Sequence, residues 1–100
     1  MKIQDLLTDE RFTDFSLISG ATGINREIST VTVVDTPDGA QWLTGDELVI
    51  TTAFMLKDDE NALLGFLNLL NMKKVSGLCI KTGRYIQEIP ESACRLSDEL

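Results

Sequence analysis

The chain of 100 residues has no histidine, two prolines, two cysteines and one tryptophan. Without histidine it lacks the side chain that most often serves as a general base near neutral pH. There is also no Gly-x-Ser-x-Gly elbow and no phosphate loop, so no nucleophile–base arrangement is visible. Cys79 and Cys94 are too few and too distant for a zinc set or a disulfide framework. They read as reduced thiols, the first in a strand pattern and the second in a helix pattern. Asp58-Asp59-Glu60 lacks the spacing and glycine of a calcium loop and reads as helix capping. No metal or cofactor is expected. No apolar run approaches the ~20 residues of a membrane span. The opening Met1-Lys2-Ile3-Gln4-Asp5 lacks a signal peptide's apolar core, so a cytoplasmic location is expected. Positive charge is scarce: 9 Lys and Arg stand against 16 Asp and Glu, a net charge of −7. With no basic cluster, that balance argues against direct nucleic-acid binding by these residues.

What is present is ordinary globular composition, 43% apolar and 25% charged, enough for one modest core. Residues 1–100 are expected to form one domain. The chain is organised around residues 41–52. This stretch holds the lone Trp42, a tight turn at Thr44-Gly45-Asp46, the apolar run Leu48-Val49-Ile50, and the closing pair Thr51-Thr52. A short apolar run between polar signals suits a strand buried on both faces. A helix pattern follows, with Ala62, Leu63, Phe66, Leu67 and Leu70 at three- and four-residue spacing. Asp58 or Asp59 caps it, and Lys73-Lys74 close it in keeping with the macrodipole. Residues 75–81 then form a second strand, in which Gly77 permits close approach. Strand, helix, strand is a parallel crossover. The expected fold is therefore α/β: a small mixed sheet around a parallel βαβ crossover, with helices packed on it.

The flanking segments fit that unit. Ile3, Leu6 and Leu7 mark a short amphipathic turn of helix, and Phe12 and Phe15 read as loop anchors. Residues 16–19 are a short strand candidate, and residues 20–23 turn on two glycines. Six of the seven residues 28–34 are β-branched, a strong strand signal. Thr36-Pro37-Asp38-Gly39 ends that strand as a β-turn. Residues 40–43 make one helical turn that directs Trp42 inward or over a cleft. Pro90 opens a last helix carrying Ala93, Leu96 and Leu100. Because that apolar face meets no following element, the chain reads as part of a longer protein.

Several of these residues together resemble the amino-terminal domain of PucR-type transcriptional regulators, the purine catabolism regulator family. They are Asp35, Trp42-Leu43-Thr44-Gly45-Asp46-Glu47-Leu48-Val49-Ile50-Thr51-Thr52, Lys81-Thr82-Gly83-Arg84-Tyr85 and Ile89-Pro90. The resemblance spans nearly the whole chain, and the run from Trp42 to Thr52 is its specific part. It implies a cytoplasmic bacterial regulator whose carboxyl-terminal helix-turn-helix, outside these residues, binds DNA. It also implies a domain that senses a small metabolite, in some members a purine-pathway compound. The amino-terminal domain of HPr kinase is similar too. The further strand expected after the last helix, and the DNA-binding parts, are not in this sequence.

Candidate ligand-binding residues follow from the crossover. Parallel strands bring Thr51 and Thr52 to the same sheet edge as Lys81, Thr82 and Arg84, and open α/β sheets bind ligands outside the carboxyl ends of their strands. Hydroxyls and two cations there suit a carboxylate or an oxygen-rich heterocycle, with Arg84 able to bind in bidentate fashion. The alternative is that the threonines cap the loop and the cations are solvated. Trp42 either stacks on a planar ligand or lies in the core. Asp35 is expected to accept backbone N–H bonds. Asp46 and Glu47 point to opposite sides and make no acid pair. Two functions remain: a non-catalytic sensor domain, or a dimerisation module; the apolar loop Phe54-Met55-Leu56 is either the interface of such a module or simply core.

Overall fold

The structure, a computed structural model, describes residues 1–9, 17–52, 59–81 and 88–100. The expectations for Phe12, Phe15, residues 53–58 and residues 82–87, Thr82 and Arg84 included, lie outside the described residues.

Three strands form one sheet in the order β1 (Thr30–Val33), β2 (Glu47–Thr51), β3 (Gly77–Ile80). Both pairings are parallel: Thr32 lies opposite Val49, and Val49 opposite Leu78. The expected crossover is therefore present. The strands themselves are all parallel, and antiparallel pairing among the described residues is confined to a bridge between Lys2 and Glu27. The strand expected at residues 16–19 does not form over its described part, where Leu17 and Ile18 are exposed. Two apolar residues between serines hold too little surface to bury against a sheet.

β2 is the centre. Alternate residues face opposite layers, and Leu48 and Val49 are both buried, as expected of a parallel strand covered on both sides. On one face Val49 and Val34 meet Leu63, Phe66 and Leu70 of α2 (Glu60–Met72) in the main core. On the other face α1 (Ile3–Thr8) crosses β3. A side-chain carbon added at Gly77 would stand 3.0 Å from the Ile3 Cδ1 atom, so this glycine lets the helix approach the strand closely.

The ends of α2 obey local rules. Asp59 caps its start, accepting the Ala62 N–H at 2.9 Å. At its end Lys74 takes φ +59°, Val75 N–H donates to Leu70 C=O at 3.2 Å, and Lys74 N–H donates to Asn71 C=O at 3.0 Å. This is a Schellman ending with lysine where glycine is usual. Between β1 and β2 the chain forms a 3-10 segment, Pro37–Trp42. It buries Ala40, and Leu43 after it, and leaves Trp42 78% exposed. The tryptophan is not core. Leu43 fills that place.

The last helix, α3 (Glu91–Glu99), packs on α2, where Ser92 Oγ donates to Glu60 Oε1 at 2.6 Å. Its far end reaches the Gly20–Arg26 region. Asp98 Oδ1 accepts from Gly20 N–H at 2.6 Å, and the Arg26 guanidinium donates to Leu100 C=O at 2.7 Å. Ala93, Ser97 and Leu100 of this end of the chain line a common cavity with the residues of β3.

Candidate functional site: the strand-end rim and the groove beside β3

Parallel pairing sets the carboxyl ends of all three strands on one rim. Asp35 follows β1, Thr51 and Thr52 close β2, and Lys81 follows β3, donating its N–H to Thr51 C=O at 3.0 Å. The Asp35 carboxylate is the hub. Its Oδ1 atom accepts from Thr52 N–H at 2.9 Å, Thr52 Oγ at 3.0 Å and Thr51 Oγ at 3.3 Å. The Thr52 N–H bond, opposed by desolvation and helped by both threonine hydroxyls, holds the Asp35 carboxyl below its ordinary pKa.

This geometry sorts the predicted residues. Thr51 is fully buried, and its hydroxyl serves the Asp35 clip. Thr52 is half-buried beside it, and Lys81 is exposed at the end of β3. Trp42 is not brought to this rim. The Gln41 C=O accepts from Lys73 Nζ at 3.3 Å, which sets the end of the 3-10 segment beside the C-terminal end of α2, on the amino-end side of the sheet. The expectation that Asp35 takes a backbone N–H is met by Thr52.

The amino end of β2 holds a second carboxylate, whose role the sequence reading missed. Glu47 is only 4% exposed. It accepts Thr44 N–H and Gly45 N–H at 2.7 Å each, with Thr44 Oγ at 3.4 Å. Burial alone would raise its pKa, but the donated backbone bonds outweigh that cost and lower it. The turn it clasps runs through Gly45 at φ +123° and Asp46 at φ +62°. The spacing Thr-Gly-x-Glu before an apolar run was the available signal, a capped turn feeding a strand.

The rim opens along β3 into a groove that is part of a cavity of about 870 Å³, which wraps the free edge of the strand and is also lined on the α1 side by Ile3, Leu6 and Leu17. Leu63 and Leu67 of α2, Leu78 and Ile80 of β3, Ile89 and Ala93 form its apolar walls, and Lys81 stands where it meets the rim. That volume lies within the usual range for small-molecule sites. A second pocket, of about 400 Å³, lies at the amino end between Arg26, Glu27, Asp46 and Lys74, where charges of both signs alternate. Among the described residues no cluster of acidic or cysteine side chains has the makings of a metal site. No helix among them is long and apolar enough to cross a membrane.

These features define an α/β domain with an all-parallel three-stranded sheet among the described residues, not a particular protein. Sequence comparison supplies the rest. Residues 5–100 match the purine catabolism regulatory protein-like family, and the chain belongs to that family. It is 36% identical over 98 residues to the purine catabolism regulatory protein of Bacillus subtilis (strain 168), covering 98% of this chain and 18% of that protein. The chain thus spans about a fifth of the relative's length. No solved structure matches it.

Proposed function

We propose that this chain is a non-catalytic, small-molecule-sensing domain of a transcriptional regulator whose DNA-binding helix-turn-helix lies outside these residues. Membership of a regulator family supports the regulatory role, and the relative's name points to a purine-pathway signal. One observation carries the sensing half: three parallel strands end on a single rim that adjoins an apolar groove. Thr52 and Lys81, with Thr82 and Arg84 following in sequence, are the proposed contacts, and a purine-pathway compound or a carboxylate is the proposed ligand. The Asp35 clip gives the rim a fixed shape before the ligand arrives. A ligand acts on transcription only by binding one arrangement of this domain and its neighbours more tightly than another. Calorimetric titration with purines, ureides and short carboxylates, on the parent chain and on Lys81→Ala and Arg84→Ala, tests the reading. Heat with one compound, reduced in both variants, is expected. Silence across the panel contradicts it.

A second reading, ligand-independent dimerisation, is favoured by Val31 and Val33. They lie 56% and 66% exposed on β1, an edge strand of the sheet. Such an uncovered apolar edge suits pairing with another copy. Sedimentation that shows a dimer without ligand, lost in Val33→Lys, would favour this reading over sensing.

A further inference from the structure

We propose that the groove between β3 and α3 binds a monocarboxylate with an aliphatic body, the carboxylate meeting Lys81 and the body lying along β3. The proposal rests on the sensing reading above and names its ligand class. Four observations carry it.

The first is the incomplete cover of β3. All four of its residues are only half-buried, whereas β2 is buried almost throughout. β3 is hydrogen-bonded on one side, to β2, among the described residues. α3 lines the same cavity through Ala93 and Ser97 but packs on α2 and on the segment near Gly20. The result is a space beside the strand rather than a closed interface.

The second is the chemistry of the walls. Leucine and isoleucine predominate, and none of the described lining residues is aromatic. Such walls reward the burial of a flexible hydrocarbon and provide no ring face on which a planar ligand would stack.

The third is the distribution of charge. Lys81 follows Ile80 at the strand end and is exposed, and it lines the groove. Arg26, the other cation among the described lining residues, already donates to the Leu100 carbonyl. Glu88 also lines the groove, and its charge disfavours a second anionic group on the ligand. Among the described lining residues Lys81 is thus the cation left to meet an anion, and a single such group among aliphatic walls suits one carboxylate.

The fourth is the position of Lys81. Its backbone N–H is fixed to Thr51, so its side chain starts from a defined point on the rim where the Asp35 clip also lies. The head of the ligand would thus sit at the strand ends.

Cys79 provides the test. It lines the same cavity from the other face of β3, beside Ile50 and within reach of a ligand body that wraps the strand's free edge, and is half-buried, while Cys94 does not line it. In a Cys94→Ser chain, alkylation of Cys79 by iodoacetamide at mildly alkaline pH is followed with octanoate or octanamide present. Octanoate is expected to slow the reaction at lower concentration than octanamide, by about fivefold, the value of one exposed charge pair. Lys81→Ala should abolish that preference while leaving protection by octanamide unchanged. Calorimetry with the same two compounds and two chains reads affinity without relying on the thiol. Equal affinity for acid and amide in the parent chain overturns the carboxylate assignment. Heat from a panel compound that leaves Cys79 unprotected overturns the groove and keeps the sensing reading. If neither octanoate nor any panel compound gives heat or protection, both fall.

Discussion

β2 is held at each end by a carboxylate, and the two carboxylates work at different ranges. Glu47 is buried and local: its donors lie two and three residues away, within its own turn. Asp35 is exposed and reaches from the end of β1 to donors sixteen and seventeen residues on, at the end of β2. The first fixes where β2 begins. The second ties two strands together at the rim where the proposed ligand head would sit. One end of the strand is closed by its own turn; the other is latched across the sheet and left facing a groove. The difference concentrates local structure at the amino end and leaves the carboxyl end as the place of the proposed binding.

The largest effect is expected at Glu47. Glu47→Ala leaves the part-buried Thr44 and Gly45 N–H groups without their carboxylate, and a loss of about 2 kcal/mol in chemical unfolding is expected. A loss under ~1 kcal/mol would mean that the turn does not depend on this clasp. Relief of strain beside the same turn gives the next effect, of opposite sign. The Asp46 N–H donates to the Lys74 C=O at 3.0 Å, and Lys74 itself is left-handed. Lys74→Gly should stabilise the chain by about 1 kcal/mol, because glycine adopts that conformation without the side-chain clash. A destabilised variant would contradict the Schellman ending.

Asp35→Asn should weaken the chain less than Glu47→Ala, since its carboxylate is exposed, yet change ligand affinity more. A thermal scan beside calorimetry separates the two effects. Acid sharpens the same contrast. Both carboxylates have lowered pKa values in the folded chain, so they contribute stability that is complete above their unfolded values. That contribution fades as pH falls below about 4 and through the lowered folded values. The unfolding midpoint should therefore drop on acidification, and drop less steeply in Glu47→Gln. The smallest effect is expected at Trp42. Its replacement by alanine should alter stability by less than about 0.5 kcal/mol, and its fluorescence should be that of a solvated indole.

Much of this fold was readable from residue patterns because the signals were local. The apolar run Leu48-Val49-Ile50 between a turn and two threonines marks a doubly covered strand, and the stripe Leu63, Phe66, Leu70 marks the helix that covers it. Asp59 as cap follows from side-chain chemistry alone. Trp42 was less readable, because both of its readings assumed burial or a cleft. Only the path of the 3-10 segment decides that Leu43 turns inward and Trp42 outward. The Asp35 clip was half visible. Its appetite for N–H donors could be foreseen, but its partners depend on strand register across sixteen residues. The groove was least visible, since it comes from a space that β3 and α3 both line, and a space has no residue of its own.

The most direct test follows backbone amide signals by NMR while the chain is titrated with octanoate. Shifts confined to Thr52, Leu78 to Lys81 and Ala93, with Thr44, Asp46 and Lys74 unmoved, would place binding at the latched end. Shifts concentrated around Asp46 and Lys74 instead, or none under saturating ligand, would contradict the division of labour between the two ends of β2.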